Sequence, residues 1–239
     1  MSDDLGAALA SVQARVDAAA RDAGRDEDVS LLLAVKTVPL ERVREAISAG
    51  GTLLGHNRAQ ELGAIEPGLT DLAHETHFIG HLQSNKVNQV LRWASCVQTL
   101  DSAALAQRLD RARGRALDEG EAAGPLEVLV QVNTSGEESK SGVTPENAAA
   151  FAADVAAHHH LRLRGFMTIG ANSPDSARVR ASYEALLQVR DTVVGSGQAG
   201  TEEAHELSMG MSGDLEIAVA AGATMVRVGS AIFGARLTE

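Results

Sequence analysis

The sequence predicts a single-domain (β/α)8 barrel over residues 1–239, preceded by one extra N-terminal helix. Three observations carry that reading: eight short apolar runs, helical patterns between them, and no linker-like or low-complexity stretch. An open doubly wound sheet would use the same alternation. Against it, no GxGxxG follows the first run, where a dinucleotide fold would carry one.

The opening segment, "MSDDLGAALASVQARVDAAARDAG", is amphipathic and acidic at its start, without a basic or apolar leader region. It reads as a helix that caps the barrel's bottom or packs along its side. The strand-like runs then cover 29–37, 52–57, 76–83, 96–101, 126–134, 161–170, 205–212 and 224–234. Several are dominated by Val, Leu and Ile, as strands buried on both faces are. Of the helical patterns, "PLERVREAISAG" opens with a proline suited to a first turn and stops at Gly50 and Gly51. "DSAALAQRLDRARGRALDEG" stripes Leu105, Leu109, Ala112 and Ala116 along one face behind an Asp101 or Ser102 cap. Thr144 as cap and Pro145 at the first position open "TPENAAAFAADVAAH". "SPDSARVRASYEALLQVRDTVV" follows, and Ser212 is the expected cap of "SGDLEIAVAAG".

Composition narrows the function. Hydrophobic residues are 44% and charged residues 22% of the chain, and no apolar run approaches the ~18 residues that cross a bilayer. A soluble protein without a membrane partner is expected. A net charge of −11 with no basic patch, and 3% aromatic residues, exclude a nucleic-acid surface. Cys96 is the only cysteine, so neither an intrachain disulfide nor an all-cysteine metal site can form, which fits a reducing cytoplasm.

Lysine usage is more pointed. Of 21 basic residues all but Lys36, Lys86 and Lys140 are arginine. A lysine kept against that bias suggests chemistry that a guanidinium cannot supply, since an amine can deprotonate and attack a carbonyl. In "LLLAVKTVP" Lys36 follows five apolar residues, at the end of the first run. A lysine snorkelling from a strand end is the plainer alternative.

In a barrel, chemistry gathers where the strands end. There the sequence places Lys36 and Thr37, His56 and Asn57, His81 and Gln83 to Lys86, Asp101, Asn133 and Thr134, Met167 and Thr168, with Lys140 in the loop after run five. Loops after strands seven and eight often seat a phosphate. Here they read "SMGMSGD" and "RVGSAIFG", offering Ser208, Gly210, Ser212, Gly213, Gly229 and Ser230. A phosphate seat beside a lysine suggests a phosphorylated carbonyl compound held as a Schiff base. Pyridoxal 5′-phosphate (PLP) meets that description, and so does a sugar phosphate in a lysine-dependent aldolase. Arg227, two residues before the last loop, could face a pyridine nitrogen and donate to it without protonating it. A salt bridge to a barrel carboxylate is its alternative role.

The segments "AVKTVP", "GHNRAQE", "HFIGHLQSNK", "VQVNTSGEESKSG", "GFMTIG", "ELSMGMSGDLEIAVAAGAT" and "VRVGSAIFG" together resemble the PLP homeostasis proteins of the YggS type, from about residue 29 to 235. The resemblance implies a PLP barrel related to the N-terminal domain of alanine racemase, acting in intracellular vitamin B6 balance by storage, delivery or regulation. It implies no established catalytic reaction. It assigns the Schiff-base lysine to Lys36, an asparagine of the site to Asn57, and the arginine facing the pyridine nitrogen to Arg227. Phosphate binding falls to Ser208, Met209, Gly210 and Ser212, with Gly229 and Ser230. "GHNRAQE" departs from the family in carrying His56 where Glu is usual. PLP-dependent apoenzymes are the expected recipients, and a cytoplasmic monomer the expected form. A racemase needs a tyrosine from a second domain; with the chain ending at Glu239 and Tyr183 in a helical pattern, racemisation is expected only as a side activity. No metal is expected: His158, His159 and His160 sit at a helix end, and His77 and His81 lie four apart in a strand. Trp93 and the phenylalanines are expected to pack.

Overall fold

The computed structural model describes residues 2–137 and 139–234. Glu138, inside "VQVNTSGEESKSG", and residue 235, where the resemblance ends, lie outside them. Eight parallel strands close into a barrel in sequence order. They are β1 (Ser30–Ala34), β2 (Leu53–His56), β3 (Glu75–Phe78), β4 (Cys96–Leu100), β5 (Leu126–Gln131), β6 (Leu161–Met167), β7 (Glu206–Ser208) and β8 (Met225–Val228). The seam is formed by β8 lying along β1, with Leu33 beside Val228.

Every expected strand is present, and each is shorter than its apolar run because the end of the run leaves the ladder to build the mouth. The last run is corrected most. Its strand stops at Val228, and Ser230–Phe233 turn into a short helix whose Ile232 and Phe233 amides donate to the Gly229 carbonyl.

The surrounding helices are α1 (Ser2–Asp22), α2 (Leu40–Ser48), α3 (Ala59–Ile65), α4 (Val87–Leu91), α5 (Ala103–Asp118), α6 (Pro145–Ala156), α7 (Ser176–Gly195), α8 (Leu215–Ala220) and α9 (Ser230–Phe233). Ser102 caps α5 by accepting from the Leu105 amide, as expected. Thr144 precedes α6, where Pro145 takes the first position, but its side chain makes no capping bond. Ser212 does not cap α8. Asp214 stands at that position, and its carboxylate instead accepts from the Met211 amide and ties the preceding loop. Helix α1 packs along the side of the barrel, against α2, α8 and α9.

Strand alternation divides the interior into two compartments. Outward residues such as Leu33, Leu54, Phe78, Val128, Val226 and Val228 join the helices in one continuous apolar shell. Trp93 and the four phenylalanines lie in or against that shell, as expected. Cys96, Leu129 and Met167 form a separate small cluster. Much of what else faces the barrel axis is polar, which departs from the branched aliphatic filling usual for such barrels. Among the described residues no helix is long and apolar enough to cross a membrane.

Candidate functional site

The mouth begins with β1. Leu33 and Val35 belong to the outer shell, whereas Leu32 turns inward, where a Cβ on Gly55 would strike its side chain. The strand ends at Ala34, and Lys36 stands two residues beyond it, half-buried, in the turn at the C-terminal end of β1. Lys140 is the only lysine with an ion pair among the described residues, so Lys36 approaches the mouth without a carboxylate partner. The next residue, Thr37, has φ 59°, the one non-glycine residue in left-handed backbone among those described. For a β-branched residue this costs on the order of 1 kcal/mol. The Thr37 hydroxyl donates to the Lys36 carbonyl at 2.7 Å and its amide to the Glu61 carboxylate at 3.4 Å, which pin the strained turn.

On β2 the register sets Gly55 beside Ala34, and Asn57 follows the end of that strand, half-buried. His56 faces the other way. It is buried in the shell, with Nε2 2.9 Å from the Glu66 carboxylate. Glu66 also receives His74 Nε2 at 2.9 Å and the Thr76 hydroxyl at 2.9 Å. Burial pushes the Glu66 carboxyl up, but the bonds from His56, His74 and Thr76 outweigh it and hold the group below its usual range. The departure at position 56 is thus answered by a local network outside the mouth.

Arg227 on β8 is buried and aimed into the barrel. Its Nη1 donates to Ser208 Oγ at 2.9 Å and its Nη2 to the Thr168 carbonyl at 2.8 Å. Among the described residues it has no salt bridge, so the alternative of a barrel carboxylate is not what the structure contains. Burial lowers its pKa to about 10, opposed by Tyr183 and Asp214, and leaves it charged at neutral pH.

The two loops beside it are shaped by glycine. Gly210 has φ 90°, and a Cβ there would collide with Ala218. Gly229 lies so close to the seam that a Cβ would stand 2.8 Å from the Ala34 carbonyl. The Ser230 hydroxyl donates to Ser212 Oγ at 3.2 Å, joining the loops. Met209 is buried in the outer shell, so only its backbone belongs to this rim. Tyr183 holds the β7 loop from beneath by donating to Asp214 at 2.8 Å. Burial and the Asp214 charge push its phenol far up, so it stays a neutral donor.

Lys140 has a structural explanation: Nζ bonds Glu137 at 2.8 Å and the Gly170 carbonyl at 2.6 Å, tying the β5 and β6 loops. Lys86 closes the short turn Ser84–Lys86 at the rim. His158 and His160 face Asp110, and among the described residues no group of three His, Cys, Asp or Glu is placed to hold a metal. Sequence reasoning missed Gln98, which is fully buried and bonded to Ser208, and through it His77 and Glu75. The available signal was an amide inside "CVQTL", a strand with no exposed residue.

These groups form a coherent donor set. An amine without a carboxylate partner, a buried guanidinium held only by neutral acceptors, and glycine-shaped loops suit an anionic ligand with a carbonyl group and a ring acceptor.

The chain is similar to known proteins over most of its length. Residues 8–237 match the family model described as alanine racemase, N-terminal domain. The PLP homeostasis protein of Pseudomonas aeruginosa is 42% identical over 95% of this chain and 94% of its own length. That of Escherichia coli K12 is 42% identical over 98% and 97%. Among solved structures, an unknown protein from Bifidobacterium adolescentis superposes with a TM-score of 0.90 at 38% identity, covering 97% of this chain and 95% of that one. PipY of Synechococcus elongatus with PLP bound has a TM-score of 0.81 at 31% identity, covering 96% and 100%. An alanine racemase of Clostridium difficile, at 14% identity and a TM-score of 0.73, shares the fold over 99% of this chain and 57% of its own.

Proposed function

Since the chain belongs to the PLP homeostasis proteins, we propose that it binds PLP covalently but reversibly through Lys36 and serves vitamin B6 balance by storing or delivering it. The observation that carries this reading is Arg227, a buried charged donor whose recorded partners are the neutral Ser208 and Thr168.

When bound, PLP supplies an aldehyde carbon that amines add to and a pyridine ring that can withdraw electrons. Lys36 would offer the amine from the turn after β1, with Asn57 in the turn after β2 beside it in the barrel mouth. The loops at Met209–Ser212 and Gly229–Ser230 would offer the Ser212 and Ser230 hydroxyls and close backbone to the phosphate, while the Ser208 hydroxyl stays engaged by Arg227 and Gln98. Arg227 would donate to the ring nitrogen while keeping its own proton, which would leave the ring a weak electron sink. Weak activation suits holding a cofactor better than transforming a substrate on it. Delivery to PLP-dependent apoenzymes, as a monomer in the cytoplasm, belongs to the same proposal; the single buried thiol of Cys96 fits that compartment.

The test is a visible spectrum of the purified protein, then borohydride reduction and peptide mass mapping. The expected result is a yellow protein bleached by borohydride, with the phosphopyridoxyl mass on the Lys36 peptide. Lys36→Ala should lose the covalent bond and keep part of the phosphate affinity. A colourless protein that added PLP cannot reconstitute would overturn the reading and favour a sugar-phosphate ligand.

A further inference from the structure

An arginine side chain only donates hydrogen bonds, and that sets the starting direction of a chain running down the barrel interior. Arg227 Nη1 donates to Ser208 Oγ at 2.9 Å, and the Ser208 hydroxyl donates onward to Gln98 Oε1 at 2.7 Å. With its oxygen committed, Gln98 turns Nε2 toward His77 Nδ1 at 2.7 Å, which makes Nδ1 the accepting, unprotonated nitrogen. The ring proton is therefore on His77 Nε2, which donates to Glu75 Oε1 at 2.9 Å. Glu75 is the first residue of β3, at the end opposite the mouth.

Gln98, Ser208 and Arg227 come from three separate strands and are all buried. A buried amide with both ends engaged favours one orientation, because flipping it would take from the Ser208 hydroxyl its acceptor and set an oxygen against the bare Nδ1 of a neutral Nε2–H His77. We infer that Gln98 and His77 are positioning residues for Arg227. The one-way chain Arg227–Ser208–Gln98–His77–Glu75 gives the guanidinium a single acceptor geometry and leaves its other donors for the mouth. This rests on the function proposed above, in which that face meets the ring nitrogen of PLP.

Two readouts test it, one without cofactor. In the cofactor-free protein at neutral pH, 15N NMR of labelled histidine should show His77 as the neutral Nε2–H tautomer, and Gln98→Leu should give a mixture. His77 protonated on Nδ1 in the unsubstituted protein overturns the chain. With PLP added, Gln98→Leu should shift the visible absorbance maximum and weaken binding about 3- to 10-fold. Gln98→Glu should restore both, because its carboxylate still accepts from Ser208 and can also accept from a protonated His77. His77→Leu should reproduce the shifts and add nothing when combined with Gln98→Leu. Unchanged spectrum and affinity in a folded Gln98→Leu or His77→Leu, or additive shifts in the pair, overturn the inference. An unsubstituted protein that shows the expected tautomer but takes up no PLP would instead remove the functional reading and leave the chain as an ordering device for Arg227.

Discussion

Two buried polar networks on neighbouring strands behave differently. Around Glu66, outside the barrel, His56, His74 and Thr76 all converge on one carboxylate, and the network closes on itself. Inside the barrel, the chain from Glu75 to Arg227 is linear and ends on a guanidinium at the mouth. The first network satisfies all its strong groups within the protein and contributes to the fold. The second leaves donors over, and a buried cation with only neutral partners gains most from a ligand.

That contrast can be broken at either end. The largest effect is expected from Glu66→Ala, which strands His56, His74 and Thr76 without their shared acceptor. Removing one partner of a buried ionic network costs about 3–5 kcal/mol. Thermal or urea unfolding should show that loss, while the spectrum of bound PLP below the transition stays as in the unsubstituted protein. A shifted spectrum would mean that the two networks are coupled.

Arg227→Met should do the reverse. A buried charge is replaced by an apolar side chain, so stability should change little, whereas PLP should bind more weakly by about 1.5–3 kcal/mol, the value of a hydrogen bond from a charged donor. Equal affinities for the two proteins, measured by fluorescence titration, would take Arg227 out of the site.

The smallest effect is a pH dependence. The Glu66 carboxyl lies below its ordinary value, so its contribution is fully present above the unfolded pKa of about 4.3 and is lost as pH falls through the lower, folded value. Acid unfolding should therefore steepen below about pH 4, and Glu66→Gln should flatten that limb. The absorbance maximum of bound PLP should not follow it.

The fold was legible because the strands of a parallel barrel are apolar on both faces and recur with helices between them. Their ends were overestimated, since "GHN" or "GSAIFG" continues the composition of a strand after hydrogen bonding has stopped. Helices α3 and α4, of 7 and 5 residues, are too short for a periodic stripe and were not singled out. Ser212 was misread as a cap because a cap depends on backbone angles, and Asp214 adopts them instead. Lys36 and Arg227 were readable as polar residues at strand ends or inside strands. The chain behind Arg227 was not, because Gln98 and Ser208 are 110 residues apart and meet only after closure. Nor does sequence alone show that His56 faces outward to Glu66 while Asn57 has already left the strand.

The β1–β8 seam has a consequence for synthesis. Lys36 leaves the ribosome long before the Arg227 and Gly229–Ser230 side of the pocket is translated. A nascent chain therefore cannot assemble the complete pocket until β8 docks on β1, and such long-range closure is a slow event. Ligand then acts as a latch on the finished ring. At a free concentration 100 times its dissociation constant it would favour the closed state by about 2.7 kcal/mol. Supply of the cofactor would in this way set how many copies persist with the seam shut.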